Sequence, residues 1–152
     1  FRDVSLVSGA DHLGDGRSVV LFDYDRDGLL DLASVNTNAP KLVLFHNELT
    51  TKNHFVALRF QGGAGSNRDG YGARVTLTCE GQTFVEEHRC GEGFSAQNSR
   101  TLLIGVGQAK EVDLLKVVWP SGREEEFRKL PVNRLLTLSE GGAPGVADYL
   151  TQ

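Results

Sequence analysis

The chain has 152 residues, enough for one ordinary domain or two very small ones. Its formal net charge is -4, and it has no basic run or arginine-rich stretch, which excludes the footprint of a nucleic-acid-binding protein. No apolar run approaches the roughly 20 residues that a membrane-spanning helix needs. The 18 glycines are scattered, a composition that favours many tight turns between short strands.

Methionine is missing from the chain, including position 1, and no signal peptide is present. We therefore expect the chain to be a processed product or a fragment of a larger protein. The lack of a targeting segment then gives no information about where that protein resides.

The N-terminal third of the chain predicts a compact β-meander. A polar, glycine-rich opening is followed by predicted strands at residues 18–23, 31–36 and 41–46, with a turn at residues 36–40 that is rich in Asn, Thr and Pro. The polar segment 47–53 marks a boundary. Residues 1–50 are therefore predicted to form the first structural region.

The rest of the chain also alternates with the period of β-strands. The clearest example is the segment that places Ala73, Val75, Leu77 and Cys79 on one face and polar residues on the other. Strands are predicted at residues 54–60, 73–79, 82–89, 101–104, 112–119, 123–129 and 134–139. With no long amphipathic helix, the predicted class is all-β. Residues 51–141 form the second predicted domain, and residues 142–152 a tail that is frayed or begins a helix.

The two cysteines lie on either side of a predicted hairpin. A tight turn at Glu80 and Gly81 pairs position 79 with position 82, which leaves Cys90 roughly 27 Å from Cys79 along the strand direction at about 3.4 Å per residue. A disulfide needs Cα atoms within about 7 Å of each other. The hairpin therefore predicts two unbridged thiols, both buried or half-buried.

Residues 23–31, D-Y-D-R-D-G-L-L-D, have the spacing of a calcium loop. Calcium prefers six to eight oxygen ligands, and alternate residues of a tightly curled loop point inward. Gly28 permits the sharp turn that directs the following carbonyl at the ion. The predicted ligands are the carboxylates of Asp23, Asp25, Asp27 and Asp31 and the backbone carbonyl of Leu29.

Two other interpretations of this loop were weighed. An EF-hand would need a glutamate at position 12, where the chain has Ser34, and helical flanks, where the chain has strand-like V-V-L-F and L-A-S-V. A solvated Asp-rich turn without metal remains open, because aspartate favours turns. Against it, two carboxylates about 5 Å apart repel by roughly 3 kcal/mol at an effective dielectric constant near 20.

Several strings resemble known families. F-R-D-V-S, V-V-L-F-D-Y-D-R-D-G-L-L-D-L-A-S-V-N and L-F-H-N resemble one FG-GAP-type (VCBS) repeat, as in integrin-like β-propellers. N-H-F-V-A-L-R-F, S-N-R-D-G-Y-G-A-R-V, G-E-G-F-S-A-Q-N-S and V-V-W-P-S-G resemble the ASPIC/UnbV domain, as in cartilage acidic protein and bacterial secreted proteins. I-G-V-G at Ile104 departs from the usual F-G-L-G of that domain. The matches cover roughly residues 1 to 140.

The resemblance implies an antiparallel β-sandwich-like ASPIC/UnbV domain packed with a single propeller-blade-like calcium-binding repeat. It also implies an extracellular or periplasmic location and a role in adhesion or in the matrix. Because one repeat cannot close a propeller ring, we expect a fragment of a larger chain with further repeats.

The sequence lacks the motifs of common catalytic sites. The chain has no G-x-S-x-G elbow and no H-E-x-x-H zinc pattern. His46 and His54 are expected to pack at the surface or at strand ends. Glu86 and Glu87 beside His88 are expected to form a solvated stripe on an exposed strand face.

Two polar loops are candidate recognition sites, because amide, hydroxyl and guanidinium groups bind sugar hydroxyls or carboxylates. The alternative is that these residues shape turns, cap carbonyls or pair with acids. The candidate residues are Asn67, Arg68, Asp69, Gln97, Asn98 and Arg100.

The sequence thus predicts a non-catalytic, calcium-stabilised extracellular binding or scaffolding module with a protein or glycan partner. The alternative is a domain of an enzyme that acts on a carbohydrate or a secondary metabolite. An enzyme should bring paired carboxylates or a histidine into a cleft with shifted pKa values, whereas a binding module should present a shallow polar surface.

Overall fold

The computed structural model describes residues 2–149 and is all-β apart from one four-residue helix, α1 (Ser5–Ser8). The strands are β1 (Gly16–Phe22), β2 (Asp31–Asn36), β3 (Leu42–Phe45), β4 (His54–Gln61), β5 (Arg74–Cys79), β6 (Gln82–Glu87), β7 (Leu102–Gly107), β8 (Glu111–Val118), β9 (Glu124–Pro131), β10 (Arg134–Ser139) and β11 (Gly145–Asp148). Phe1, where the F-R-D-V-S match begins, and the last three residues of the predicted tail lie outside the described residues. No helix within residues 2–149 is long and apolar enough to cross a membrane.

The chain divides into two compact units. The first comprises the described residues up to Asp25, then Leu29–Leu49 and Gly91–Ser99. The second comprises Arg26–Gly28, Thr50–Cys90 and the described chain from Arg100 onward. The division between the units falls between Leu49 and Thr50, and Gly91–Ser99 groups with the first unit.

The first unit is built on the antiparallel sheet β1-β2-β3. The register pairs Phe22 with Asp31 across β1 and β2, and Leu32 with Phe45 across β2 and β3. Each of the three strands lies within two residues of its predicted bounds, because the apolar alternation and the turn residues agree at each end.

The outer edge of β1 is covered by the segment Gly91–Ser99. The backbone N–H of Leu21 donates to the side-chain oxygen of Asn98 over 2.8 Å, and the carbonyl of Leu21 accepts from the N–H of Ser99 over 3.1 Å. An open strand edge leaves backbone groups without partners, and these two hydrogen bonds satisfy two of them. The sequence pattern gave no sign of this contact, since 77 residues separate Leu21 from Asn98.

The second unit contains two four-stranded sheets, ordered β11-β10-β4-β7 and β6-β5-β8-β9. Every strand pair in them is antiparallel except β4 with β10, which is parallel and sets Leu58 beside Leu136. The expectation of a purely antiparallel domain is therefore wrong at this one pair. Parallel neighbours need a long crossover connection, and here β5 to β9 supply it.

The two four-stranded sheets bury their apolar faces in one core. The predicted face of Ala73, Val75, Leu77 and Cys79 lies entirely within this core, so the alternation of β5 is confirmed. The other buried members come from β4, β7, β8, β9, β10 and the adjoining turns: Val56, Leu58, Phe60, Ile104, Val106, Ala109, Val112, Leu115, Val117, Trp119, Leu130, Leu136 and Leu138.

Strand β4 is buried on both faces. Ala57, on the face opposite the main core, packs with Leu135 and Tyr149 in a second, smaller cluster. Both faces were apolar in the sequence, apart from Arg59. Continuous burial of this kind is typical of a central strand.

The predicted tail contains a strand where the structure describes it. Val146 of β11 lies opposite Leu136 of β10 in an antiparallel pair. The G-G-A-P-G string is typical of a turn, so the sequence pattern did not indicate that a strand begins at its last glycine. Pairing with β10, a tertiary effect, decides the conformation.

The cysteines are unbridged, as the hairpin predicted, but Cys90 is exposed rather than buried or half-buried. Cys79 lies opposite Gln82 at the β5–β6 turn, and both Cys79 and Cys90 are free thiols within the described chain. Cys79 is buried in the core, and its burial raises the pKa of its thiol. Cys79 therefore acts as a small apolar core residue.

Candidate functional site

Three of the predicted metal-ligating aspartates converge within the first unit. One carboxylate oxygen from each of Asp23, Asp25 and Asp31 lies within 4.8 Å of the others. Asp23 directly follows β1 and Asp31 opens β2, so the antiparallel pair Phe22 and Asp31 holds the base of the loop closed. Local spacing and strand pairing thus produce the cluster together.

Asp31 is the fixed member of the cluster. Its side chain is buried, with the residue 1% exposed. Its Oδ2 accepts the backbone N–H of Tyr24 over 3.0 Å, and its Oδ1 accepts the backbone N–H of Asn47 over 2.8 Å. A carboxylate oxygen has two acceptor sites, so each oxygen keeps one for a further partner. These two hydrogen bonds orient the carboxylate.

The remaining predicted ligands lie at and beside the tip of the loop. Asp27 is exposed and belongs to the Arg26–Gly28 segment of the second unit, while Leu29 is half-buried in the first. Gly28 has a φ of 91°, in the left-handed region that the predicted sharp turn requires. A Cβ on Gly28 would lie 2.2 Å from a ring carbon of Phe55, so the position also has no room for a side chain.

Two residues near the cluster were not selected by the sequence analysis. His46 Nε2 lies 3.2 Å from Asp25 Oδ2, and its ring makes an edge contact with Tyr24 at 5.2 Å between centroids. Asn47 donates its side-chain amide to the carbonyl of Leu30 over 3.2 Å and its backbone N–H to Asp31. Asn47 could have been selected from its position, because it is an Asx residue directly after a predicted strand and such residues form local hydrogen bonds.

In the first candidate recognition loop, Asn67 shapes a turn. Its side chain donates to the carbonyl of Tyr71 over 2.7 Å and accepts the N–H of Tyr71 over 2.9 Å. Arg68 extends outward, with its side chain 90% exposed, and pairs with Asp69 at 3.2 Å. Gly70 packs so closely on Phe60 that a Cβ would lie 2.6 Å from the Cβ of Phe60.

The second candidate loop divides between the two units. Gln97 and Asn98 lie in the first unit, where Asn98 binds β1 and also donates to Glu92 over 2.6 Å. Arg100 lies in the second unit. Within the second unit, Asp69 and Arg100 lie on the wall of one pocket.

This pocket has a volume of about 130 Å³ and lies entirely within the second unit. Strand β4 supplies Arg59, Phe60 and Gln61, and the S-N-R-D turn supplies Asp69. The remaining lining residues are His88, Arg100 and Thr137. Residues distant in sequence thus form one polar site beside an aromatic side chain.

His88 lies at this pocket between two aromatic rings. It stacks on Phe60 and on Tyr71, each with 4.6 Å between ring centroids, and only 3% of the residue is exposed. Burial lowers the pKa of His88, and a hydrogen bond to the backbone of Asp69 opposes that shift. The predicted solvated stripe of Glu86 and Glu87 therefore does not extend to His88, which is buried although it lies directly after β6.

Arg59 was also missed by the sequence analysis. Its Nε donates to Thr101 Oγ1 over 3.0 Å. Burial, and then the charges of Arg100 and Arg26, lower the pKa of Arg59. Within residues 2–149, the buried Nη1 of Arg26 has no hydrogen-bond partner. The available signal was a single arginine within an otherwise apolar strand.

The comparison with protein families identifies the class of this chain. The family model described as ASPIC and UnbV matches residues 63–145, more than half of the chain, so the chain belongs to the ASPIC and UnbV family. The match covers the S-N-R-D turn, His88 and Arg100, and most of the two four-stranded sheets. A search of curated proteins found no match.

Proposed function

We propose that this chain is a non-catalytic, calcium-stabilised binding or scaffolding module of a secreted or periplasmic protein, with an FG-GAP/VCBS-type repeat as its first unit. The observation that carries the proposal is the convergence of Asp23, Asp25 and Asp31 within 4.8 Å. The buried, doubly hydrogen-bonded Asp31 adds weight to it.

Electrostatics favours a cation at this cluster. Two carboxylates about 5 Å apart repel by roughly 3 kcal/mol at an effective dielectric constant near 20, and the cluster contains three such pairs. A divalent cation among them replaces repulsion with attraction. Calcium suits an all-oxygen set on a loop, whereas magnesium demands near-ideal octahedral geometry and usually keeps several waters. The sequence spacing adds Asp27 and the carbonyl of Leu29 to the proposed ligands.

The three-stranded sheet supports a scaffolding role. One face of the sheet exposes the apolar side chains of Val35, Leu42 and Leu44, and the opposite face exposes Val19 and Leu21. Neighbouring exposed apolar side chains, such as the three on the first face, are typical of an interaction site. For the second unit we propose a β-sandwich-like arrangement, supported by the core that its two sheets share. An extracellular adhesion role is consistent with both features.

Binding is favoured over catalysis at the pocket, although one observation supports the enzyme alternative. His88 with its lowered pKa lines the pocket, as a catalytic histidine would. However, stacking between Phe60 and Tyr71 encloses both faces of its ring. Asp69 is the one carboxylate residue among the described lining residues, so the paired acids expected of a glycosidase are missing there.

Calcium titration calorimetry and elemental analysis test the proposal. We expect one equivalent of calcium per chain, and Asp25→Asn should weaken its binding because one proposed ligand loses its charge. Asp15→Asn is the matched control, since Asp15 is an exposed aspartate of the same unit that pairs with Arg17. No bound calcium in the unaltered protein, or equal losses in the two variants, would refute the proposed site.

A further inference from the structure

The pocket of the second unit carries positive charge that the protein does not neutralise. Arg59 and Arg100 both line it, and within the described residues neither forms an ion pair with a carboxylate. The carboxylate of the pocket, Asp69, pairs instead with the outward-pointing Arg68. Arginine guanidinium groups bind carboxylates through paired N–H donors, so an arginine pair beside a pocket suits an anionic ligand.

Burial makes this charge costly without a ligand. Desolvation, together with the neighbouring Arg100 and Arg26, lowers the pKa of Arg59, which means that the charged form is held in an unfavourable environment. Arg26 adds a buried Nη1 that has no hydrogen-bond partner within the described chain. A bound anion would relieve the repulsion among these three cations.

The size of the pocket limits the ligand. A cavity of about 150 Å³ accommodates benzene, which has six non-hydrogen atoms. The pocket, at about 130 Å³, therefore holds a group of about that size. A carboxylate with two or three further non-hydrogen atoms fits, and a whole sugar ring does not.

Asp69 selects among anions of that size. Its carboxylate repels a doubly charged phosphate, but it accepts a hydrogen bond from a hydroxyl group. Gln61 and Thr137 add polar atoms that donate and accept. The lining thus suits a ligand that has one negative charge and a nearby hydroxyl.

We propose that the pocket binds a hydroxycarboxylate, with Arg59 and Arg100 holding the carboxylate and Asp69 accepting the hydroxyl. The ligand is either a free small hydroxy acid or the acidic end of a sugar acid. The proposal rests on the binding function proposed above, and it names the ligand class that the module takes.

NMR titration of the isotopically labelled protein tests this directly. L-lactate, with six non-hydrogen atoms, should shift the signals of His88 and Arg100. Lactamide keeps the shape and hydroxyl but lacks the charge, and propionate keeps the charge but lacks the hydroxyl. Both should bind more weakly than lactate, about tenfold for lactamide, since hydrogen bonds to charged groups are the stronger ones. Glucuronate distinguishes the two candidate ligands. If it binds more tightly than lactate, the ligand is the acidic end of a sugar acid, and if it binds more weakly, the ligand is a free hydroxy acid.

Two pocket variants and one matched control follow from the geometry. Arg100→Gln should weaken lactate binding about tenfold or more, because it removes a charged donor from an exposed residue. Asp69→Asn should reduce the preference for lactate over propionate. Arg128→Gln is the control, since Arg128 is an exposed arginine of β9 that pairs with Glu126 outside the pocket. It should leave lactate binding unchanged.

Several outcomes would overturn the proposal. One is that neither lactate nor glucuronate shifts the signals of the pocket residues. Others are that lactamide binds as tightly as lactate, or that inorganic phosphate binds more tightly than lactate. The last is that the Arg100 and Arg128 variants lose equal amounts of lactate affinity. The outcome is separable from that of the calcium site. If the protein binds calcium but not lactate, the proposed function stands and the hydroxycarboxylate site is refuted. If it binds lactate but not calcium, the hydroxycarboxylate site stands and the calcium site is refuted.

Discussion

Asn47 donates its backbone N–H to Oδ1 of Asp31 over 2.8 Å, although 16 residues separate the two along the chain. The bond connects the chain after β3 to the first residue of β2. Asp31 therefore contributes to the folded sheet whether or not a metal is bound. Asp25 is exposed whereas Asp31 is buried, and this difference allows the structural role of Asp31 to be separated from the proposed metal binding.

Asp31→Asn should destabilise the protein even in the presence of a calcium chelator. The amide NH2 that replaces one oxygen faces a backbone N–H, from Tyr24 or from Asn47, so one buried donor loses its acceptor. The expected loss is about 1–3 kcal/mol in the free energy of unfolding, measured by urea denaturation in chelator.

Asp25→Asn is the matched variant for that experiment. In chelator it should cost less than Asp31→Asn, because Asp25 is exposed and its contact with His46 lies at the surface, whereas Asp31 is buried. Its loss should appear when calcium is present. Similar losses for both variants in chelator would contradict the structural role assigned to Asp31.

Gly28→Ala should destabilise the protein through two separate effects. The position has a φ of 91°, which costs an L-residue about 1 kcal/mol or more, and the new methyl group would overlap the ring of Phe55. Overpacking adds about 1–3 kcal/mol. Gly81→Ala is the control, because Gly81 also has a positive φ of 78° but its Cβ would meet open space. Equal losses in thermal denaturation would show that Phe55 does not limit the position.

Glu125→Ala should destabilise the second unit by about 1–3 kcal/mol, because it leaves the buried indole N–H of Trp119 without an acceptor. Trp119 Nε1 donates to Glu125 Oε2 over 2.7 Å, and Oε1 accepts the N–H of Gly141 over 2.8 Å. The neighbouring Glu124 forms only an exposed pair with Lys116. Glu124→Ala should therefore cost less than about 1 kcal/mol. Tryptophan fluorescence during denaturation measures the free energy of unfolding of both variants. A larger loss in Glu124→Ala than in Glu125→Ala would contradict the assigned contacts.

The stability of the protein should depend on pH through His88. Because burial lowers the pKa of His88 in the folded state, the unfolded chain binds a proton first as the pH falls through the ordinary value of 6.5. The free energy that His88 contributes to folding is therefore complete above pH 6.5 and declines below it.

His88→Phe isolates this effect, because phenylalanine preserves an aromatic ring between Phe60 and Tyr71. The stability difference between the unaltered protein and the variant should be constant above pH 7 and should fall between pH 6.5 and pH 5. Urea denaturation at each pH measures it. A difference that does not change with pH would show that His88 titrates alike in the folded and unfolded chains.

The sequence was most informative where structure depends on neighbours along the chain. Strand β10 has its predicted bounds, because the P-V-N string precedes it and Gly141 and Gly142 follow it closely. The cluster of Asp23, Asp25 and Asp31 was predictable because nine consecutive residues contain all three. Strand β7 extends to Gly107, beyond its predicted end at residue 104, since glycines contribute no hydrophobic pattern.

Features that depend on distant pairing could not be read from one sequence. The parallel contact of β4 with β10 and the cover of Gly91–Ser99 over β1 join segments more than 70 residues apart. The pocket is of the same kind, because Arg59, Asp69 and Arg100 come from three separate segments. Asp69 and Arg100 were predicted as site residues from their chemistry alone. Arg59 and His88 were not, because each lies in a segment that the sequence predicts only as a strand.

Thermal denaturation with and without calcium tests the central claim, that calcium at Asp23, Asp25 and Asp31 stabilises the fold. A ligand present at 100 times its Kd stabilises the folded state by about 2.7 kcal/mol, which corresponds to a rise of roughly 5–10 °C in Tm for a chain of this length. We expect chelator to lower Tm by that amount and calcium, but not an equal concentration of magnesium, to restore it. The same Tm in chelator and in calcium would contradict the claim.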